Sequence, residues 1–454
     1  MDLPIVLDRA SGVPLAVQVA DGLRDAAAGR ALRPGDRLPS TRALATTLGL
    51  SRTVTAAAYD QLLAEGWVEG RVGAGTYVTA VPAGIRPTTA RRPVARTEVP
   101  RAGGGIEYSL RPGRPCIAAL DRAMWRRAWR AAAEPEPDDA PRPDGLPEFH
   151  TAVVEHLLRH RGLAPADVLT TAGTSAAVAE LARLLPAGAT VAVEEPGYRR
   201  AVSALRAAGL RIVAVPVDDD GLVVEAIPAG CAAVYTTPAH QFPTAVRMAA
   251  TRRVALLERA REEDLLVIED DYDGELRYDV APLPLLAALA PEHVVHLGTA
   301  SKIVSPTLGV GWAVAPPSLL AAWRDLRSRT GTRPSPAGQR VFAALAAGGD
   351  LSRHLRRLRR ELRERRDLVL AAAGRAGWCA HGDPAGAHLV LRPRVAGEPV
   401  PERAVLAAAR ERGVDVDGLA EHHDGDPRIS GLVVGYAAGS RADLRAALAL
   451  LTRG

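Results

Sequence analysis

Apolar positions in the first eighty residues recur at helical spacing and are cut by turn residues. Leu15, Val19, Leu23 and Ala26 follow at intervals of four, four and three, which predicts an amphipathic helix over Leu15–Ala27. The stretch Leu32-Arg-Pro-Gly-Asp-Arg-Leu-Pro-Ser40 is a turn, and Ser40 is placed to cap a helix Thr41–Leu48 that Gly49 ends. Ser51 caps the next predicted helix, Arg52 to about Glu65. Two short helices around a glycine-containing turn form a helix-turn-helix pattern. Beyond Gly66, Trp67–Arg71 and Thr76–Val78 read as two small strands around Val72-Gly-Ala-Gly75, a hairpin of the kind that forms a wing.

From Gly145 the pattern changes. Ala187–Val193, Leu210–Val217, Ala232–Thr236, Leu265–Asp270 and His293–Leu297 are strand-like, and amphipathic helices such as Ser175–Leu185, Arg199–Ala208 and Ala249–Glu263 lie between them. Alternation of this length predicts an α/β domain with a doubly wound, largely parallel sheet, whose ligands bind beyond the carboxyl ends of the strands. Between the two patterns, Val81–Gly105 is rich in Pro, Thr, Ala and Gly without apolar periodicity and reads as a linker. The expected organisation is 1–80, a helix-turn-helix domain; 81–105, a linker; and 106–454, an α/β domain.

Composition sharpens this in three ways. A chain of 454 residues with 47% hydrophobic content is expected to form more than one globular core. The three cysteines, Cys116, Cys231 and Cys379, are far apart and suit a reducing, cytoplasmic setting; no metal site is expected. No signal peptide or membrane span is read from the sequence. The net charge of +5 is unevenly distributed: residues 1–80 carry eight arginines and eight acids, whereas residues 81–130 carry eleven arginines and three acids. That excess either attracts DNA phosphate or keeps the linker extended.

The chemistry centres on Lys302, the only lysine among 57 basic residues. Arginine replaces lysine freely as a surface charge, but only lysine can lose its proton and form an imine. The other polar groups at predicted strand ends are Gly173, Thr174 and Ser175 opening a helix, Tyr198, His240 and Gln241, Asp270 with Tyr272, and Ser301. A lysine amine, a carboxylate, an aromatic wall and a phosphate cup are what pyridoxal phosphate requires. At the N-terminal end of the second short helix, Ser51, Arg52, Thr53 and Thr55 are candidates to face DNA, with Arg42 and Arg71 able to contact its backbone.

Residues 12–78 resemble the winged-helix domain of GntR-type regulators. The resemblance is carried by Leu32–Ser40 with Thr41–Ala45, Leu50–Val54, Ala58–Gly66 and Gly73–Val78. It implies DNA contacts from Arg42, Arg52, Thr53 and the wing at Gly75, although Ala56 stands where many relatives carry another arginine. The remainder resembles the fold-type I aminotransferase domain, on Gly145–Glu148, Glu195–Tyr198, Thr237–Thr244, Glu269–Asp273 and Gly298–Lys302. The whole chain resembles a MocR-type regulator, a GntR winged helix fused to an aminotransferase-like domain. That implies a large mixed sheet, a small C-terminal α+β subdomain over about 330–454 and a head-to-tail homodimer. It also implies that Lys302 is a Schiff-base lysine for pyridoxal phosphate, Asp270 the partner of its ring nitrogen and Tyr198 the stacking ring. Tyr272, with His240 or Gln241, is then near the cofactor hydroxyl.

Three positions depart from the family pattern. Gly309 stands seven residues past Lys302, where an arginine pairs with the cofactor phosphate. Ala245 replaces a glycine after Pro243-Thr244. The arginine for a substrate carboxylate is not clearly placed, with Arg428 and Arg200 as candidates for an anionic effector. The expected function is a DNA-binding regulator that senses pyridoxal phosphate or an amino compound. The alternatives are an active aminotransferase with an attached DNA-binding module, or a cofactor-free regulator of the same fold.

Overall fold

The computed structural model describes residues 3, 5–29, 31–71, 75–79, 106–140, 142–279, 284–395 and 397–453. The linker expected at Val81–Gly105 and the wing tip Val72–Ala74 lie outside the described residues. The chain divides into two compact units, Met1–Arg101 and Ala102–Gly454.

In the first unit, helices Leu15–Ala28, Thr41–Leu48 and Arg52–Ala64 precede an antiparallel hairpin, Val68–Arg71 with Gly75–Val78. Both predicted caps form: Ser40 accepts from the Ala43 amide and Ser51 from the Val54 amide. The apolar faces close over Val19, Leu23, Leu44, Leu62 and Val78. The Tyr59 hydroxyl, also buried there, donates to the Pro39 carbonyl at 2.8 Å.

The second unit is built on an eight-stranded mixed sheet. Its order is Leu169–Thr171, Gly311–Val314, Val294–Thr299, Leu266–Asp271, Ala233–Thr236, Thr190–Glu195, Arg211–Asp218, Gly221–Leu222. The five strands from Val294–Thr299 to Arg211–Asp218 are parallel, and the outer three pair antiparallel. Separate apolar clusters, one around Phe149, Trp312 and Phe342 and one around Val193, Ile268 and Trp323, account for the near-continuous apolar runs of the central strands. A second, four-stranded antiparallel sheet follows the 26-residue helix Asp350–Arg375, in the order Cys379–His381, His388–Arg392, Leu432–Gly435, Asp417–Gly418. The final helix, Arg441–Leu451, is fixed by a capping box between Ser440 and Asp443. Among the described residues, no helix is long and apolar enough to cross a membrane.

Candidate functional site

Strand alternation sorts the acids at the end of Leu266–Asp271. Glu269 accepts from the Leu286 and Ala287 amides, and Asp271 is held by Arg161 at 2.8 and 2.9 Å. Asp270, between them, has the opposite orientation. The parallel register sets Tyr235 beside Ile268, two residues earlier, so the Tyr235 hydroxyl reaches Asp270 Oδ2 at 2.5 Å. Asp270 Oδ1 is buried and makes no hydrogen bond of good geometry, the nearby Thr174 side chain only weakly favouring its charged form. Burial raises the Asp270 carboxyl to about 7, against the opposing pull of the Tyr235 hydrogen bond.

Asp270 lines a cavity of about 590 Å³, within the usual range for a small-molecule site. Lys302, three residues past the neighbouring strand, also lines it and donates from Nζ to the Gly113 carbonyl at 2.5 Å. Burial lowers the proton affinity of this amine, opposed by Asp273 and Asp270 and assisted by Arg200. Desolvation therefore favours the neutral, nucleophilic form.

The same cavity is lined by Gly173, Thr174 and Ser175 at the N-terminus of helix Thr174–Leu181, and by Tyr198, Tyr272, Thr299 and Ser301. Ser175 and Tyr198 share a hydrogen bond of 2.9 Å between their hydroxyls, and Thr299 Oγ1 contacts Ser301 at its hydroxyl and amide, 3.1 Å each. The Tyr272 hydroxyl donates to the His240 carbonyl at 2.8 Å. A helix N-terminus beside three hydroxyls suits an anion.

Three expected contacts are placed elsewhere. Gln241 is committed internally: its amide donates to Glu194, Pro196 and Phe242, and its carbonyl oxygen accepts from Thr244. His240 is buried behind the wall, with Nδ1 3.0 Å from Asp273. Neither lines the cavity. Arg428 is exposed and also outside it, whereas Arg200 lines it. Gly309 ends a short turn after Pro306 in a left-handed conformation, φ +55°, with open space where a side chain would start. Ala245 holds φ +61°, the reason a glycine is favoured at that place. Sequence reasoning missed Tyr235, whose role depends on cross-strand register, and Asp273, which lines the cavity two residues after the strand.

In the first unit, Ser51, Arg52 and Thr53 are exposed around the start of the second short helix, and Arg42 is exposed on the preceding helix. Thr55 is a correction: it is fully buried and its hydroxyl donates to the Thr41 and Arg52 carbonyls, so it joins the two helices. Arg71 is exposed but paired with Glu69 and stacked over Tyr77 at 4.5 Å. Gly75, at φ +115°, lets Arg37 lie against the hairpin, since a Cβ there would be 2.9 Å from Arg37 Nε.

Residues 15–78 match the family described as bacterial regulatory proteins, gntR family, and residues 112–425 match aminotransferase class I and II. The HTH-type pyridoxine biosynthesis transcriptional regulator PdxR of Corynebacterium glutamicum is 34% identical, over 99% of this chain and 97% of its own. The probable rhizopine catabolism regulatory protein MocR of Rhizobium meliloti is 33% identical, over 95% and 92%. This chain belongs to the MocR-type GntR regulators. As in that family, a DNA-binding winged helix is joined to an aminotransferase-like domain, and the protein is a DNA-binding transcriptional regulator. The MocR-type fold of the second unit is also similar to a kynurenine aminotransferase of Pyrococcus horikoshii, solved with PMP, with a TM-score of 0.69 and 25% identity over 77% of this chain and 90% of that one.

Proposed function

We propose that this regulator senses pyridoxal phosphate, or an amino compound that reacts with it, through Lys302. The observation that carries the reading is the unmatched, buried Asp270 Oδ1 in the wall of the cavity that Lys302 also lines. When bound, the cofactor supplies an aldehyde that condenses with an amine and a ring nitrogen that takes a proton. Asp270, oriented by Tyr235, holds that proton and regains the partner it lacks. Lys302 is the attachment point, Tyr198 a wall for the ring, and Gly173, Thr174, Ser175 and Ser301 the anion end. Arg200 is the candidate for an effector carboxylate; Arg428 has no place in this reading. The name of the Corynebacterium relative, which refers to pyridoxine biosynthesis, points the same way.

The effector domain acts as a homodimer that sets the geometry of two winged helices on an operator. Arg42, Arg52 and Thr53 are the leading DNA contacts, with Ser51 as the cap and Gly75 in the wing. The experiment is a near-ultraviolet and visible spectrum of the purified protein with and without added pyridoxal phosphate, alongside Lys302→Ala. Wild type should show a cofactor band that Lys302→Ala lacks, and added cofactor should change operator affinity. Identical spectra for the two proteins would remove Lys302 from the reading. A protein that stays colourless throughout titration favours a cofactor-free regulator. Sustained turnover with ordinary amino donors favours an aminotransferase.

A further inference from the structure

At the cavity wall, three side chains from distant segments converge: His240 from the loop after Ala233–Thr236, Asp273 just past Leu266–Asp271, and His388 opening His388–Arg392. They are 2%, 3% and 3% exposed, and one ligand atom from each lies within 4.8 Å of the others. The two imidazole centroids are 4.6 Å apart. His240 Nε2, Asp273 Oδ1 and His388 Nε2 have no hydrogen-bond partner. Three unmatched polar atoms at such depth are costly unless something binds them. A glycine makes room for the His240–Asp273 pair, in which Nδ1 lies 3.0 Å from Oδ2. Gly386 has φ +64°, and a Cβ there would lie 2.2 Å from the His240 ring and 2.6 Å from Asp273 Oδ2.

We propose that His240, Asp273 and His388 form a site for a divalent transition metal of the zinc class. Two imidazoles and one carboxylate suit zinc or cobalt, whereas calcium and magnesium seek oxygen ligands. Bonds of about 2.0–2.2 Å in a tetrahedral site put donors roughly 3.3 Å apart, so modest side-chain rotation closes the present spacing. Asp273 and His388 also line the cavity, which leaves a fourth coordination position toward it. The ion and the proposed cofactor therefore share one wall. The three ligands are spread over 149 positions, from 240 to 388, so no short sequence motif announces the site.

The test uses full-length protein stripped with a chelator and titrated with Co²⁺, then Zn²⁺, without cofactor. One equivalent of Co²⁺ should bind with the visible bands of a tetrahedral ion and be displaced by Zn²⁺. His388→Gln and His240→Gln should each weaken binding by more than the roughly 10–100-fold typical of losing an outer-shell partner. Asp270→Asn should retain the ion while binding the cofactor roughly a hundredfold more weakly, so the metal and cofactor readings fail separately. Absence of tetrahedral bands in wild type overturns the site. So does wild-type metal binding by either histidine variant. Since the wild-type spectrum is decisive alone, a variant that fails to fold does not shield the proposal.

Discussion

At one end of the cavity, Asp270 is gripped by Tyr235 at 2.5 Å and keeps its other oxygen unmatched. At the other, the start of Thr174–Leu181 offers amides and hydroxyls, while the turn after Lys302 closes on Gly309 where related proteins are expected to carry a cation. The first end holds a buried acid at an energetic cost that a ring N–H would relieve. The second has polar groups already satisfied by one another, such as Ser175 with Tyr198, and lacks the arginine expected at position 309. On the proposed reading, a ligand is held by its ring and aldehyde more than by its phosphate. That suits a sensor which must release what it reads better than an enzyme which must retain its cofactor.

The largest expected effect is at the acid. Asp270→Asn keeps the shape but cannot accept the ring N–H as a charge, and a hydrogen bond to a charged group contributes up to about 3 kcal/mol, or roughly a hundredfold in affinity. Titration of stripped protein with pyridoxal phosphate measures this; unchanged affinity would remove the distinction between the two ends. The same variant tests pH dependence. Burial raises this carboxyl from 3.8 to about 7, so its neutral form favours the folded state. That contribution is complete below about pH 4 and is lost as pH rises through 7. Between about pH 5 and 8, ligand-free wild type should lose about 3 kcal/mol more stability than Asp270→Asn. Denaturant unfolding at both pH values measures the difference, and parallel behaviour would show that Asp270 is not held as an isolated buried acid.

Much of this contrast is legible in the sequence, for a physical reason. Strand–helix alternation fixes where strands end, and Asp270, Tyr198 and Lys302 all follow from that. What it does not supply is register between strands: Tyr235 is recognisable as the Asp270 partner only when it is known to lie beside Ile268. Gln241 fails similarly, because its partner Glu194 is 47 residues away on another strand. Thr55 is different. Thr55, Ala58, Tyr59 and Leu62 repeat at three, four and seven positions, and all four are buried, so the helical period itself marked this threonine as inward-facing.

Restoring a cation should narrow the difference between the ends. The left-handed conformation of Gly309 costs a substituted residue about 1–2 kcal/mol in stability, but open space surrounds the position. Gly309→Arg should tighten pyridoxal phosphate binding by roughly tenfold, the lower end for a charge-assisted contact. Binding of unphosphorylated pyridoxal should be unchanged, and operator response to the cofactor should become harder to reverse by dilution. Equal tightening of both ligands would mean that the arginine acts on the cavity as a whole and not on the phosphate.

The smallest effect distinguishes two roles of a single hydroxyl. Ser175 opens the helix at the anion end, yet it is also bonded to the Tyr198 hydroxyl at 2.9 Å, so it is able to act on either the phosphate or the stacking ring. Ser175→Ala should weaken pyridoxal phosphate by about 1 kcal/mol, a several-fold change. If the hydroxyl serves the phosphate, pyridoxal is unaffected and the loss persists in a Tyr198→Phe background, where the hydroxyl pair is already broken. If it positions Tyr198, both ligands weaken equally and the Tyr198→Phe background absorbs the effect. The second outcome would leave backbone amides as the main hold on the phosphate, and would make the contrast between the two ends steeper than Gly309 alone implies.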